Sequence, residues 1–201
     1  MTWAFVVLGV ALGGGLVFSL VGMVGAIFAR RYIPIFGTIY ALGQGAVMGV
    51  SSGFAELYFP GVVFAALLAT FVVFAVMSVL FFTGVIKVGQ RFRAVMRTVL
   101  ISIFFFSILF FLLMLFVPSL NHMMWNNPLF LLLSIGISVV MIIVASLMLL
   151  FDLSLIKEAV EGGLDKHYEW WGAFGLTITL IWLYMEFLRL FMKLAALVRR
   201  N

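Results

Sequence analysis

Six runs of almost unbroken apolar side chains divide this chain, at about 3–29, 35–53, 61–83, 98–117, 128–151 and 170–192. Each is close to the ~20 residues that an α-helix needs to cross a bilayer. No soluble fold of 201 residues can hide that much apolar surface, with 66% of the chain hydrophobic and 9% charged; a soluble domain is about half apolar and about a quarter charged. Strand-type alternation is absent, which argues against a barrel. The runs predict an all-α, polytopic membrane helix bundle of six transmembrane helices, or seven if the first run breaks at Gly13-Gly14-Gly15. No polar region is long enough for a soluble domain, so residues 1–201 form a single transmembrane domain.

The punctuation agrees. Pro34, Pro60, Pro118 and Pro128 all fall at the edges of runs, where proline is easily accommodated. The start, MTWAFVVLGV, has no basic leader region and reads as part of a span, not a removable signal. Basic residues sit in alternate loops: Arg30 and Arg31 in the first, Lys87, Arg91, Arg93 and Arg97 in the third, Lys157 and Lys166 in the fifth, none in the second and fourth. The positive-inside rule therefore puts the odd loops in the cytoplasm and both termini outside. Lys193, Arg199 and Arg200 then lie on the wrong side. A last helix that stops short or re-enters would relieve that conflict.

Most motifs have structural readings. Gly45, Gly49 and Gly53 are spaced i, i+4, i+8 and predict a helix-packing stripe, with ligand lining as the lesser reading. The same region, Gly49-Val50-Ser51-Ser52-Gly53, matches the hydrolase pattern G-x-S-x-G, but that chemistry needs a strand–turn–helix and this is an apolar helix end. His122 and His167 fall in loops on opposite sides, so a serine–histidine pair does not form easily. The absence of cysteine excludes thiol catalysis, disulfides and Cys-based metal sites. No catalytic constellation emerges, and the chain reads as a non-enzyme. The third loop, KVGQRFRAVMR, suits anionic headgroups better than nucleic acid, and Glu169-Trp170-Trp171 reads as an interfacial anchor opening the last helix.

What remains is a set of charges inside apolar runs, each costing roughly 2.5–3.5 kcal/mol at the bilayer centre. Asp152 ends the fifth run in MLLFDLSLIKEAV, and lies a turn or two inside its helix if that helix continues toward Val160. Glu186 lies midway along the last helix, and Glu186, Arg189 and Lys193 follow at i, i+3, i+7 on one face. One reading is an internal Glu186–Arg189 ion pair with Lys193 snorkelling to the interface. The other turns this face inward, so that Glu186 meets Asp152 across helices in one water-poor pocket. Two such carboxylates titrate as a coupled pair, which makes a proton switch. Deprotonated, they are hard oxygen ligands for Ca²⁺, yet too few for its ~6–8 oxygens, so binding there is weak.

The stretches YFPGVVFAALLATFVVFAVMSVLFFTGVIKVGQRFR (58–93), FDLSLIKEAVEGG (151–163) and EWWGAFGLTITLIWLYMEFLRLF (169–191) resemble the Bax inhibitor-1/YccA-like (TMBIM) family, and its bacterial branch most. The resemblance implies a seven-helix bundle with the last helix central, and a pH-sensitive Ca²⁺ leak. It places the family's paired acidic sensor on Asp152 and Glu186, the second being Glu where members with a measured leak carry Asp. It also places a basic latch for the first acid on Arg30 or Arg31. Those arginines match the end of the family's second helix, so residues of about 2–11 are all that represent its first span, as in a six-helix variant or a truncated start.

Two functions are thus expected. One is a pH-sensitive, Ca²⁺-permeable leak in the bacterial inner membrane, gated by Asp152 and Glu186, with no tightly bound cofactor and with lipid, Ca²⁺ and protons as partners. The other is a non-transporting regulator of a membrane-bound quality-control protease, for which the chain offers little handle beyond loop 152–169.

Overall fold

The computed structural model describes residues 2–116, 128–163 and 167–200. These form helices α1 (Thr2–Phe28), α2 (Ile33–Tyr58), α3 (Val62–Phe82), α4 (Gln90–Phe116), α5 (Pro128–Glu161) and α6 (His167–Arg200), with a 3-10 turn at Arg30–Tyr32. Five of the six are long and apolar enough to cross a membrane. α1 runs unbroken through Gly13, Gly14 and Gly15, so the seven-helix alternative does not hold for this chain. The helix supplies every internal hydrogen bond there, and lipid offers the backbone no competing partner. His122 and Pro118 lie outside the described residues, and so do the side chains of Arg30 and His167.

Helix ends follow local chemistry. Pro34 sits in the first turn of α2, where its missing N–H is no loss. The tight turn into α3 uses Gly61 at φ 86°, a conformation that glycine adopts without strain. Glu56 closes this turn: its carboxylate accepts hydrogen bonds from the backbone N–H of Gly61 (2.7 Å) and Val63 (3.2 Å), donors that the start of a helix leaves unpaired.

α6 is the centre of the bundle, packing on α2, α3 and α5. One core joins Leu183, Tyr184, Phe187 and Leu188 of α6 to Ala55, Ala66, Ala145 and Leu149. A second joins Phe174 to Ala26, Ile33 and Tyr40, and so anchors the α1–α2 hairpin to α6. Far from stopping short, α6 is one helix of 34 residues, about 51 Å long at 1.5 Å per residue. Arg199 reaches the ring of Phe59 in the turn between α2 and α3 (4.8 Å to its centroid). α6 neither stops short nor re-enters, and Arg199 stands at the end opposite the basic loops.

α4 begins at Gln90, eight residues before the apolar run, so Arg91, Arg93 and Arg97 belong to its first turns and not to a loop. Arg93 forms a two-pronged ion pair with Glu158 near the end of α5, with Nη1 to Oε2 at 2.7 Å. Phe92 packs on the third core of Phe81, Leu150 and Leu153. Beyond Ile101 nearly every described side chain of α4 is exposed, as suits a helix surrounded by lipid.

The stripe of Gly45, Gly49 and Gly53 does not pack: a Cβ at any of them would meet no described atom within 4 Å. The close approach is made instead by Gly43. A Cβ there would lie 2.6 Å from the backbone nitrogen of Ser19, one at Gly15 would lie 2.8 Å from the carbonyl oxygen of Gly43, and one at Gly22 would strike the backbone of Tyr40. Two residues along a helix turn the chain by about 200°, so the face holding Gly43 meets α1 while Gly45 faces away. Gly49 and Gly53 line a groove of about 550 Å³ with Phe54 and Leu57. Gly22→Ala is therefore expected to cost about 1–3 kcal/mol through overpacking. Gly49→Ala should leave stability unchanged or raise it by up to about 1 kcal/mol through helix propensity. Reversible unfolding of the purified variants in mixed micelles reads both.

Candidate functional site

The chemistry of this chain lies along the seam between α5 and α6. The two helices run antiparallel, and Gly172 brings them close enough for a Cβ there to strike the side chain of Ile156. At one end of the seam Asp152, only 5% exposed, accepts a 2.5 Å hydrogen bond from the hydroxyl of Thr179, itself 3% exposed. Its other oxygen faces the backbone at Gly175, where a Cβ would lie 3.5 Å away. At the other end Lys193 donates to the hydroxyl of Ser138 (2.8 Å) and to the carbonyl oxygen of Ser134 (2.9 Å). Lys193 does not snorkel along its own helix; it crosses to α5.

Glu186 stands between these ends, 3% exposed. Its Oε1 accepts from the indole Nε1 of Trp182 at 3.2 Å and faces Nη1 of Arg189 at 3.3 Å. The i,i+3 ion pair is present, with Arg189 half-exposed. Thr179, Glu186 and Lys193 fall at i, i+7 and i+14, one face of α6. The α5 partners step back in the same heptads, from Asp152 through Ala145 to Ser138. A polar row thus extends about 21 Å, most of the ~30 Å hydrocarbon core.

Of the two sequence readings, one put Asp152 and Glu186 face to face and the other paired Glu186 with Arg189. The structure engages the two acids separately, and no hydrogen bond joins them among the described residues. Register is the reason: pairing Asp152 with Thr179 and Ser138 with Lys193 sets Glu186 level with Ala145, one heptad, or about 10 Å along the axis, beyond Asp152. Among the described residues no three metal-ligating side chains come together. Arg31, one candidate latch, has an exposed side chain with no ion pair among the described residues. The turn that holds it leads into Ile33, which packs on Phe174, the neighbour of Gly175 beside Asp152.

Asp152 also opens on a groove of about 540 Å³ between α5 and α6, walled by Met148, Phe151, Leu155 and Trp171. Ser51 and Ser52 are interior to α2, their hydroxyls bound to the carbonyl oxygen of Val47 (2.8 Å) and to the phenol of Tyr184 (2.6 Å), which is not the exposed turn a nucleophilic serine needs. Sequence reasoning missed the partners of both charged ends, Thr179 for Asp152 and Ser134 with Ser138 for Lys193. Their heptad spacing in the amino-acid sequence was the available signal.

The fold and this row define a multi-pass helical membrane protein whose central helix carries buried charged side chains. The chain belongs to the Bax inhibitor 1 like family, whose model matches residues 1–196. Comparison with curated proteins and with solved structures gives no match.

Thr179→Val preserves shape but leaves the buried Asp152 one donor short. It is expected to lower stability by about 1–3 kcal/mol, the range for leaving a buried acceptor unsatisfied. In an Asp152→Asn background the same change should cost less, and a double-mutant cycle in mixed micelles measures that coupling.

Proposed function

We propose that the protein is a pH-sensitive, Ca²⁺-permeable leak in the bacterial inner membrane, with Asp152 and Glu186 as the proton-sensing and ion-contacting groups. The observation that carries this reading is the row itself: two buried acids and a series of hydroxyls on facing sides of one helix pair. Ionisable groups inside a membrane are expensive and mark ion or proton pathways. Carboxylates and hydroxyls are hard oxygen ligands, the kind that Ca²⁺ prefers. Two acids engaged separately act as successive stations, and sites of a few oxygens each bind weakly enough to let an ion leave.

Proton uptake at Asp152 or Glu186 removes a charge from the row and changes what Thr179, Trp182 and Arg189 can donate to. Arg30 or Arg31 serves as the latch, competing with Ca²⁺ and protons for Asp152. A ligand that prefers the unlatched state shifts the population toward it.

Purified protein in liposomes loaded with a Ca²⁺-sensitive dye provides the test. Asp152→Asn is expected to reduce Ca²⁺ flux about ten-fold, equivalent to roughly 1.4 kcal/mol, and to flatten its pH dependence. Glu186→Gln should reduce flux while leaving part of the pH response. Wild-type flux and pH dependence in both variants would exclude these acids from the path.

A further inference from the structure

Lys193 is the one cation of the row that binds neither acid directly. Its Nζ lies across the α5–α6 seam on two oxygens one helical turn apart, the carbonyl of Ser134 and the hydroxyl of Ser138, and Ser138 is buried. Arg189 takes the carboxylate of Glu186 and is half-exposed. Glu186 and Arg189 are the charged groups that act on Lys193 from its own helix, and from α5 only uncharged oxygens meet its ammonium. A cation in this setting is costly, and α6 continues for two turns beyond it, so the outer surface was an available alternative. The ammonium has taken up the two oxygens that a cation travelling along the row would meet next after Glu186.

The geometry points to Lys193 as a tethered plug: its ammonium stands in for a permeating cation at the far end of the row, holds the α5–α6 seam shut and repels other cations. The inference rests on the leak reading for the identity of the ion, but on the contacts of Lys193 for the barrier itself. Opening then requires the ammonium to leave Ser134 and Ser138, and Glu186, one heptad inward, is the acid on the same face toward which it can swing. The repulsion acts at a few ångströms in a water-poor space, where a unit charge alters ion entry by about ten-fold or more.

Three variants separate charge from packing. Lys193→Arg keeps the cation, Lys193→Gln keeps a donor for Ser134 and Ser138 without the charge, and Lys193→Met keeps only the volume. In dye-loaded liposomes Lys193→Gln and Lys193→Met are expected to raise Ca²⁺ flux about ten-fold or more, with Lys193→Arg at the wild-type level. A second readout needs no Ca²⁺. The chain has no cysteine, so Ala145→Cys places a single thiol level with Glu186 at a position that is 0% exposed. That thiol should react with a water-soluble, membrane-impermeant maleimide from the far side in the Lys193→Gln background and stay protected with Lys193 present. Labelling without Ca²⁺ flux in any variant would support the plug and remove the leak. Flux and labelling in Lys193→Gln equal to those with Lys193 would overturn the plug, and a tight Lys193→Gln beside a leaky Lys193→Met would reduce Lys193 to a hydrogen-bonded staple.

Discussion

Everything in this bundle is arranged around the cost of placing charge where water is scarce. α6 carries Glu186, Arg189 and Lys193 within eight residues amid mostly apolar neighbours, and α5 brings Asp152 to the same seam. A helix with that load cannot face lipid on its charged side, so it must occupy the centre. The other helices are its solvent. α5 supplies Ser134, Ser138 and Asp152, α2 supplies Ser52 to the phenol of Tyr184, and the core packed around α6 is apolar, with Ala55, Val62, Ala66, Ala145 and Leu149. The central position of α6 follows from its chemistry as much as from its packing.

The same logic separates the parts of the bundle by stiffness. α1 and α2 are zipped backbone to backbone at Gly15, Gly22 and Gly43, a contact that leaves no room for a side chain to adjust. That hairpin joins α6 through fewer and more deformable contacts, the edge-to-face rings of Tyr40 and Phe174 (5.3 Å) and the hydroxyl pair of Ser52 and Tyr184. Among the described residues, α4 is held through its first turns, by Phe92 and the ion pair of Arg93 with Glu158. Bending within the hairpin would open a close-packed backbone contact, which makes the hairpin the stiffer unit.

Helix number and order were legible because each run carries an apolar signal that nothing else in the chain imitates. Helix ends were less legible. α4 starts at Gln90 and α5 continues to Glu161 because their polar ends lie in the interface, where composition no longer reports on backbone conformation. The glycine stripe shows a different limit. A period of four identifies Gly45, Gly49 and Gly53 as one face, but periodicity cannot say which face of a helix finds a partner, and the partner went to Gly43. The acids show a third. Sequence identified Asp152 and Glu186 as buried, and both are; their relative height depends on interhelical register, which the contacts of Gly172 with Ile156 and Lys193 with Ser138 determine.

Register also explains how the row is tolerated at all. Its formal charges cancel, Asp152 and Glu186 toward one end against Arg189 and Lys193 toward the other, and each sits on a donor or acceptor. Two acids in a single pocket would have concentrated like charge at one depth, with strong mutual repulsion in a low dielectric. Spreading them one heptad apart lowers that repulsion and places a cation within reach of Glu186. The arrangement is neutral only while every member keeps its charge. A substitution that removes the charge of either acid therefore leaves an uncompensated cation in the seam, a costly arrangement in a low dielectric.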